Sequence, residues 1–175
     1  KGFASTTMDD VATAIGYTKP VIYDHFQGKD ALYIEIVRST ADQMMELLRD
    51  AVARESEPRK KVEAAFRVYF ELVVTESDAF RVLFLQAGSA ERNHELRAVE
   101  VDMVSFIEPM LPGQLDDNHK REIAGGVVGM AEGAAVVWLV RRERSGAAGT
   151  VDEAHQLAKR IATLAWGGLR AVQPK

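Results

Sequence analysis

Histidine and carboxylate side chains supply the first candidates for chemistry in this sequence. The chain has four histidines and no cysteine, which excludes thiol nucleophiles and cysteine-ligated metals. No histidine belongs to an HExxH or paired Glu-x-x-His pattern, and there is no GxSxG or P-loop motif. His94 beside Glu95, and His119 near Asp116 and Asp117, have the residue types of a metal site, but solvation in loops or at helix ends explains them more simply. We therefore predict no catalytic residue, no metal and no cofactor.

Composition restricts the possible classes further. The 175 residues are 47% apolar and 27% charged, enough for a substantial core in one large or two small domains. The net charge of −4 argues against a protein that coats nucleic acid indiscriminately, but it leaves room for a local contact surface. The absence of cysteine and of a leader sequence suits the cytoplasm. Because it opens on Lys1-Gly2-Phe3, we expect the chain to be a fragment that starts inside a longer protein.

Helix breakers and caps predict an all-α fold, since no stretch shows the sustained alternation of a half-buried strand. The predicted helices run from Thr6 or Thr7 to Ile15, Thr18 to Phe26, Lys29 to about Glu55, Pro58 to about Val73, Ser77 to Gly88, Leu96 to Met110 (ended by Pro109, Pro112 and Gly113), Asp117 to Arg144 and Val151 to Val172. The helix that begins near Pro58 is apolar over most of its circumference, so we expect it at the centre of the molecule.

The first two short helices, separated by Gly16-Tyr17, have the spacing of a helix-turn-helix. Ile22 and Phe26 are four residues apart and share one helix face. We expect this face to pack on three apolar residues of the preceding segment, which are Val11, Ile15 and Phe3. The opposite face then turns outward.

The string TTMDDVATAIGYTKPVIYDHFQGKDALY, residues 6 to 33, resembles the DNA-binding segment of the TetR family of bacterial repressors. The resemblance implies a helix-turn-helix domain over residues 1-38, with its first helix largely missing, and a helical effector-binding and dimerisation domain over 39-175. It also implies a set of DNA-contacting residues: Thr6, Thr7, Thr18, Lys19, Pro20, Val21, Tyr23, Asp24, His25 and Lys29. In the family, positions like Lys19, Tyr23, His25 and Lys29 commonly contact phosphates, and those like Pro20 and Val21 lie near base edges.

Pro20, Val21 and Asp24 depart from the residues that are common in the family, and His25 keeps a second interpretation. Asp24 is unexpected on an outward DNA-facing surface, where it accepts from cytosine, orients a basic neighbour, or merely balances charge. His25 is either a phosphate contact or a residue that packs at the helix end.

The back half should hold an effector pocket lined by apolar side chains from several helices. The candidates are Phe66, Tyr69, Phe70, Phe84, Met103, Phe106, Met110, Glu132 and Trp138. Any one of the aromatic and methionine residues is also compatible with plain core.

A stripe of glycines marks the second predicted surface. Gly125, Gly129 and Gly133 recur every four residues, which lets another helix approach closely. With the last helix, this stripe predicts a four-helix bundle across a two-fold axis. The predicted interface residues are Gly125, Gly129, Gly133, Leu157, Ile161, Leu164, Ala165 and Gly168. A membrane span over 123–140 is disfavoured by Glu132 and the glycines. Glu132 lies seven residues after Gly125, so it sits at or beside this glycine stripe, which we call the glycine seam. We expect it to pair with an Arg. The alternatives are a hydrogen bond across the dimer and a contact with a polar group of the effector.

The sequence thus predicts a dimeric, DNA-binding transcriptional regulator, a repressor released from a palindromic operator by a small, largely apolar effector. The alternatives are an α-helical enzyme and a dimerisation module that does not bind DNA. The effector, the operator, the regulated genes and the sense of regulation are not encoded in any motif.

Overall fold

A computed structural model of the chain describes residues 3–85, 90–111 and 114–172. The expected remnant of an earlier helix at Lys1-Gly2, and the predicted helix ends at Gly88 and at Pro112-Gly113, lie outside the described residues. Within them the fold is all-α, as predicted, with no strand. The helices are α1 (Met8–Ile15), α2 (Lys19–His25), α3 (Lys29–Ala53), α4 (Pro58–Thr75), α5 (Ser77–Phe84), α6 (Ala90–Ile107), α7 (Asp117–Ser145) and α8 (Val151–Ala171), with a 3-10 helix at Glu108–Met110.

Local capping sets most of these boundaries. Thr7 caps α1 in a reciprocal box with Asp10, and Gly16 ends α1 at φ 74°, a left-handed conformation that favours glycine. Thr150 and Glu153 form the same box at the start of α8. These ends follow from sequence-local hydrogen bonds, which explains why the predicted boundaries are close to the observed ones.

The main core surrounds α4, which packs against α3, α5, α7 and α8. Phe70 and Val73 of α4 are fully buried, which confirms its predicted central position. The face of α8 toward α4 carries a row of buried small residues that lets the two helices pack closely, namely Ala154, Ala158, Ala162 and Ala165.

A second, small cluster holds the N-terminal unit together. Met8, Ala12 and Ile22 are buried there. The long helix α3 connects this unit to the main core. Near the start of α3, Tyr33 and Val37 pack with Leu83 of α5. Arg38 of α3 also forms a two-pronged ion pair with Glu95 of α6, with N–O distances of 2.6 and 3.2 Å.

Helix α7 is long and apolar enough, by length and composition, to cross a membrane. One of its faces is buried in the protein, with Ala124, Val128, Ala131, Ala135, Trp138 and Leu139 pointing inward. The opposite face exposes its glycines. The apolar composition of α7 therefore serves in part to build the core.

Candidate nucleic-acid interface and internal cavity

The orientation of α2 is fixed by one buried side chain. Ile22 is 4% exposed and packs on Met8 and Ala12 of α1, with Phe26 half-buried beside it. This agrees with the predicted inward face. The opposite face is open: the exposed residues on and next to α2 are Thr18, Lys19, Pro20, Val21, Tyr23, Asp24 and His25.

Two of the predicted packing partners are wrong. Ile15 is 57% exposed, because the small cluster centres on Met8 and Ala12 and leaves the last turn of α1 uncovered. Phe3 packs edge-to-face on Tyr33 of α3, with ring centroids 5.5 Å apart, rather than on α2.

Lys19 is oriented by a residue that the sequence analysis missed. Its ammonium lies 2.9 Å from Asp9 Oδ1 on α1 and 5.8 Å from the centre of the Tyr23 ring. The hydrogen bond to Asp9 raises the pKa of Lys19, so the cation is retained. Asp9, and not Asp24, therefore orients the basic neighbour. An acidic residue in the first turn of α1 was visible in the sequence, but its approach to Lys19 depends on how α1 crosses α2.

Lys29 does not have the exposed position that the resemblance implied. Its ammonium donates to the carbonyl oxygens of Phe3 at 2.6 Å and Thr6 at 2.8 Å, and it sits 4.4 Å from the Phe3 ring centre. A phosphate contact would require these bonds to break, so Lys29 ties the N-terminal segment to α3. The Thr7 hydroxyl is also engaged, since it donates to Asp10 Oδ2 at 2.9 Å.

A cavity of about 550 Å³ opens within the C-terminal helices. Five of the predicted pocket residues line it, namely Phe66, Tyr69, Met103, Phe106 and Met110. Leu48 of α3 and Trp166 of α8 complete its apolar wall, and the cations Lys61 and Arg170 also line it. Sequence reasoning missed these four because nothing in the local pattern brings α3, α4 and α8 to one point.

The remaining predicted pocket residues lie elsewhere. Phe70 is fully buried in the core, and Trp138 is buried near Gly149, so neither lines this cavity. Phe84 and Glu132 line a second, smaller cavity of about 80 Å³. The physical reason is helical phase: Phe70 follows Tyr69 by 100° and points to the other side of α4.

Glu132 has no Arg partner among the described residues, so the preferred expectation is wrong. The carboxyl is half-buried, and burial, with a smaller contribution from the nearby Glu100 carboxylate, raises the pKa of Glu132 to about 7. Its position at the edge of the buried face turns it toward α6 and Tyr69 instead of the glycine seam.

Five of the eight predicted interface residues are exposed, two are half-buried and one is buried. Gly125, Gly129 and Gly133 are exposed, and an added Cβ at each would have no atom within 4 Å. Val137 of α7 is 70% exposed and Leu164 of α8 is 63% exposed. Leu157 and Ile161 are half-buried, and Gly168 is exposed. Ala165 is only 1% exposed, because it belongs to the small-residue row that packs on α4, so its assignment to this surface is wrong.

The described residues contain no group of three or more His, Cys, Asp and Glu side chains arranged to hold a metal. Two of the acidic residues weighed as ligands have other partners. Glu95 pairs with Arg38, and Asp116 caps α7 by accepting from the His119 backbone N–H at 2.9 Å.

Comparison with known proteins identifies the N-terminal unit. Residues 1–36 match the model of the bacterial regulatory proteins of the tetR family. The HTH-type transcriptional activator FasR of Mycolicibacterium smegmatis is 24% identical over 98% of this chain and 77% of its own length. Residues 1–36 therefore carry the N-terminal segment of the tetR family. The chain is a transcriptional regulator and not an enzyme, as the sequence predicted.

Two further proteins are similar to this chain. The HTH-type transcriptional repressor KstR2 of Mycobacterium tuberculosis is 25% identical over 60% of the chain and 58% of that protein. The crystal structure of the regulator FadR from Bacillus subtilis in complex with stearoyl-CoA superposes with a TM-score of 0.80 at 13% identity, over 98% of this chain and 91% of that one. The fold is thus that of a tetR-family regulator, with activators and repressors among its relatives.

Proposed function

We propose that this regulator binds a palindromic operator as a homodimer, with α2 of each protomer in the DNA major groove. The observation that carries the proposal is the single buried anchor of α2: Ile22 fixes the helix while its whole opposite face stays free for DNA. In this arrangement Lys19, Tyr23 and His25 contact phosphates, and Pro20 and Val21 approach base edges. We assign Thr6, Thr7 and Thr18 to contacts with the DNA backbone.

The charge of the N-terminal unit supports specific placement over bulk attraction. Asp9 and Asp24 offset the nearby cations, so affinity has to come from a few positioned donors. The ion pair with Asp9 keeps the Lys19 ammonium at the exposed rim of α2.

The homodimer is supported by the exposed apolar surface of α7 and α8. Glycines on α7 leave a shallow groove, Val137 lies four residues after Gly133 on the same helix, and Leu164 of α8 is exposed as well. A two-fold axis through this surface would create a four-helix bundle and set two recognition helices about 34–36 Å apart, which matches successive major grooves.

The effector is an elongated amphipathic molecule that binds in the large cavity of the effector-binding domain, residues 39-175. Its apolar body contacts Phe66, Met103 and Phe106, and its anionic head lies at Lys61 and Arg170. Neither cation forms an ion pair with a described residue, so both are available to the head group. The crystal structure of FadR in complex with stearoyl-CoA supports a ligand of this class.

Effector and DNA are coupled through α3. This helix carries Tyr33 and Val37, which pack near the DNA-binding unit of residues 1-38, and Leu48, which lines the cavity. An effector that favours one position of α3 changes the separation of the recognition helices and releases the operator, and DNA must weaken effector binding by the same factor. We assign the protein to the cytoplasm, where a repressor would meet both.

The test is a fluorescence anisotropy titration of the intact protein with the DNA that flanks its own gene. We expect Lys19→Ala and Tyr23→Phe to weaken binding about threefold to thirtyfold on every sequence tested, because they remove phosphate contacts. Lys159→Ala, which removes an exposed lysine from α8, is the matched control and should bind as the unmodified protein does. Equal binding by all four proteins, or a change confined to one base position, would contradict these roles.

A further inference from the structure

Two cavities meet at one wall inside the C-terminal helices. The large cavity and the smaller one share Tyr69 and Met103. Lys61 lies eight residues before Tyr69 on α4, about 12 Å along the helix axis at a 1.5 Å rise per residue. A molecule that reaches from Lys61 and Arg170 to this shared wall must therefore be elongated.

Tyr69, which belongs to this shared wall, has a hydroxyl group without a hydrogen-bond partner among the described residues. The residue is only 3% exposed. Buried hydroxyls are nearly always bonded in folded proteins, so an unbonded one on a residue that lines two cavities marks a place for a ligand group.

Glu132 provides the second polar group on the far side of the wall. It lines the smaller cavity together with Glu100, and burial, with a smaller contribution from the Glu132 charge, raises the pKa of the Tyr69 phenol. No described cation pairs with Glu132, whereas Lys61 and Arg170 lie at the other end of the large cavity. An anionic group is therefore disfavoured at this inner end and favoured at the outer one.

We propose that Tyr69 and Glu132 bind a hydroxyl group at the inner end of the effector. A hydroxyl matches both residues, because it accepts from the Tyr69 O–H and donates to a Glu132 carboxyl oxygen. This inference rests on the proposed effector class and narrows it, from any amphipathic chain to one that carries a neutral hydrogen-bonding group opposite its anionic head. Tyr69 and Glu132 thereby determine ligand specificity.

The experiment compares two probes by isothermal titration calorimetry on the intact protein. The probes are fatty acids and ω-hydroxy fatty acids of equal chain length, each as free acid and as coenzyme A thioester. We expect the hydroxylated member of a pair to bind about tenfold more tightly, the effect of one well-placed hydrogen bond in a buried site. In Tyr69→Phe, which keeps the buried ring, this preference should fall to about threefold or less while the unhydroxylated probe binds at least as well.

Control variants keep the outcomes distinct. Tyr17→Phe makes the same chemical change at an exposed tyrosine between α1 and α2 and should retain the full preference, and Glu132→Leu should reduce it as Tyr69→Phe does. Equal affinity for both probes in the unmodified protein, or a preference that survives Tyr69→Phe, would overturn this inference and leave the effector class standing. If no acid or thioester of either kind binds, the proposed effector class fails with it.

Discussion

The N-terminal unit and the C-terminal helices are both built from α-helices, but they place their proposed functional side chains differently. Among the described residues, three are buried in the cluster that holds α1 and α2, against twenty in the core around α4. The small unit exposes its functional side chains on the outside of one short helix. The large one encloses its functional surface in a cavity between five helices and a 3-10 helix.

This difference separates stability from function in each region. In the N-terminal unit one anchor, Ile22, fixes the helix, and the residues proposed to contact DNA contribute little to folding. In the C-terminal region the same side chains, such as Phe66 and Tyr69, both pack the core and line the cavity. Changes in ligand specificity there will carry a cost in stability.

The largest expected effect contrasts the two cores. Phe70→Ala should lower the free energy of unfolding by about 3–5 kcal/mol, because it empties a fully enclosed position beside α8. Ile22→Ala should lose DNA binding through local unfolding of α1 and α2 while the C-terminal helices stay folded. Urea unfolding followed by circular dichroism, with DNA binding measured in parallel, checks both. A main transition that shifts more for Ile22→Ala than for Phe70→Ala would contradict the division.

A second contrast concerns the outer surface of the C-terminal region. Val137→Glu should weaken dimerisation at least a hundredfold, about 2.7 kcal/mol, because each protomer would bring an unpaired carboxylate into the proposed interface. Val101→Glu, at a valine of similar exposure on α6, is its control and should leave the dimer intact. Sedimentation equilibrium measures the two constants. Dimers of equal strength in both variants would place the interface elsewhere.

Lys19 and Lys29 of the N-terminal unit should differ in their effect on its stability. Lys29→Met removes charge-assisted bonds to the Phe3 and Thr6 carbonyls and should destabilise this unit by about 1–2 kcal/mol. Lys19→Met should leave its stability unchanged within error, since the Lys19–Asp9 pair is exposed to solvent. Amide hydrogen exchange of α1 and α2 reports the difference. If Lys19→Met proves the more destabilising change, the structural role of Lys29 is wrong.

The smallest expected effect is a pH dependence from Glu132. Its folded pKa of about 7 exceeds the usual 4.5, so the folded protein binds more protons between these values and its stability falls as pH rises through this window. Glu132→Gln should therefore stabilise the protein by about 1 kcal/mol above pH 7, after discounting for partial solvent exposure, and by almost nothing below pH 4.5. Thermal unfolding across this pH range tests it. A pH-independent gain would show that Glu132 does not titrate in this window.

Sequence reasoning succeeded where the determining contacts are local. The capping boxes, the glycine turn and the four-residue spacing of Ile22 and Phe26 lie within one or two helical turns, so the helix-turn-helix was predictable. The bonds of Lys29 to the N-terminal segment were not predictable, because its partners lie more than twenty residues earlier in the chain. Its burial depends on how the chain before α1 folds back over α3.

The cavity illustrates the same limit. Five predicted residues line it, but Lys61 and Arg170 come from different helices and have no local pattern that joins them. Glu132 lies roughly 20° from Gly125 around α7, so helical phase alone left it between the seam and the interior. Only the packing of α6 and α4 against α7 decides that it faces Tyr69.

A hydrogen–deuterium exchange footprint of the intact protein on the DNA that flanks its own gene tests the central claim most directly. Bound DNA should slow amide exchange in residues 17–26, and addition of the effector should reverse this protection. Protection confined to α7 and α8, or none within the helix-turn-helix while DNA remains bound, would contradict the assignment of α2 as the DNA-reading helix.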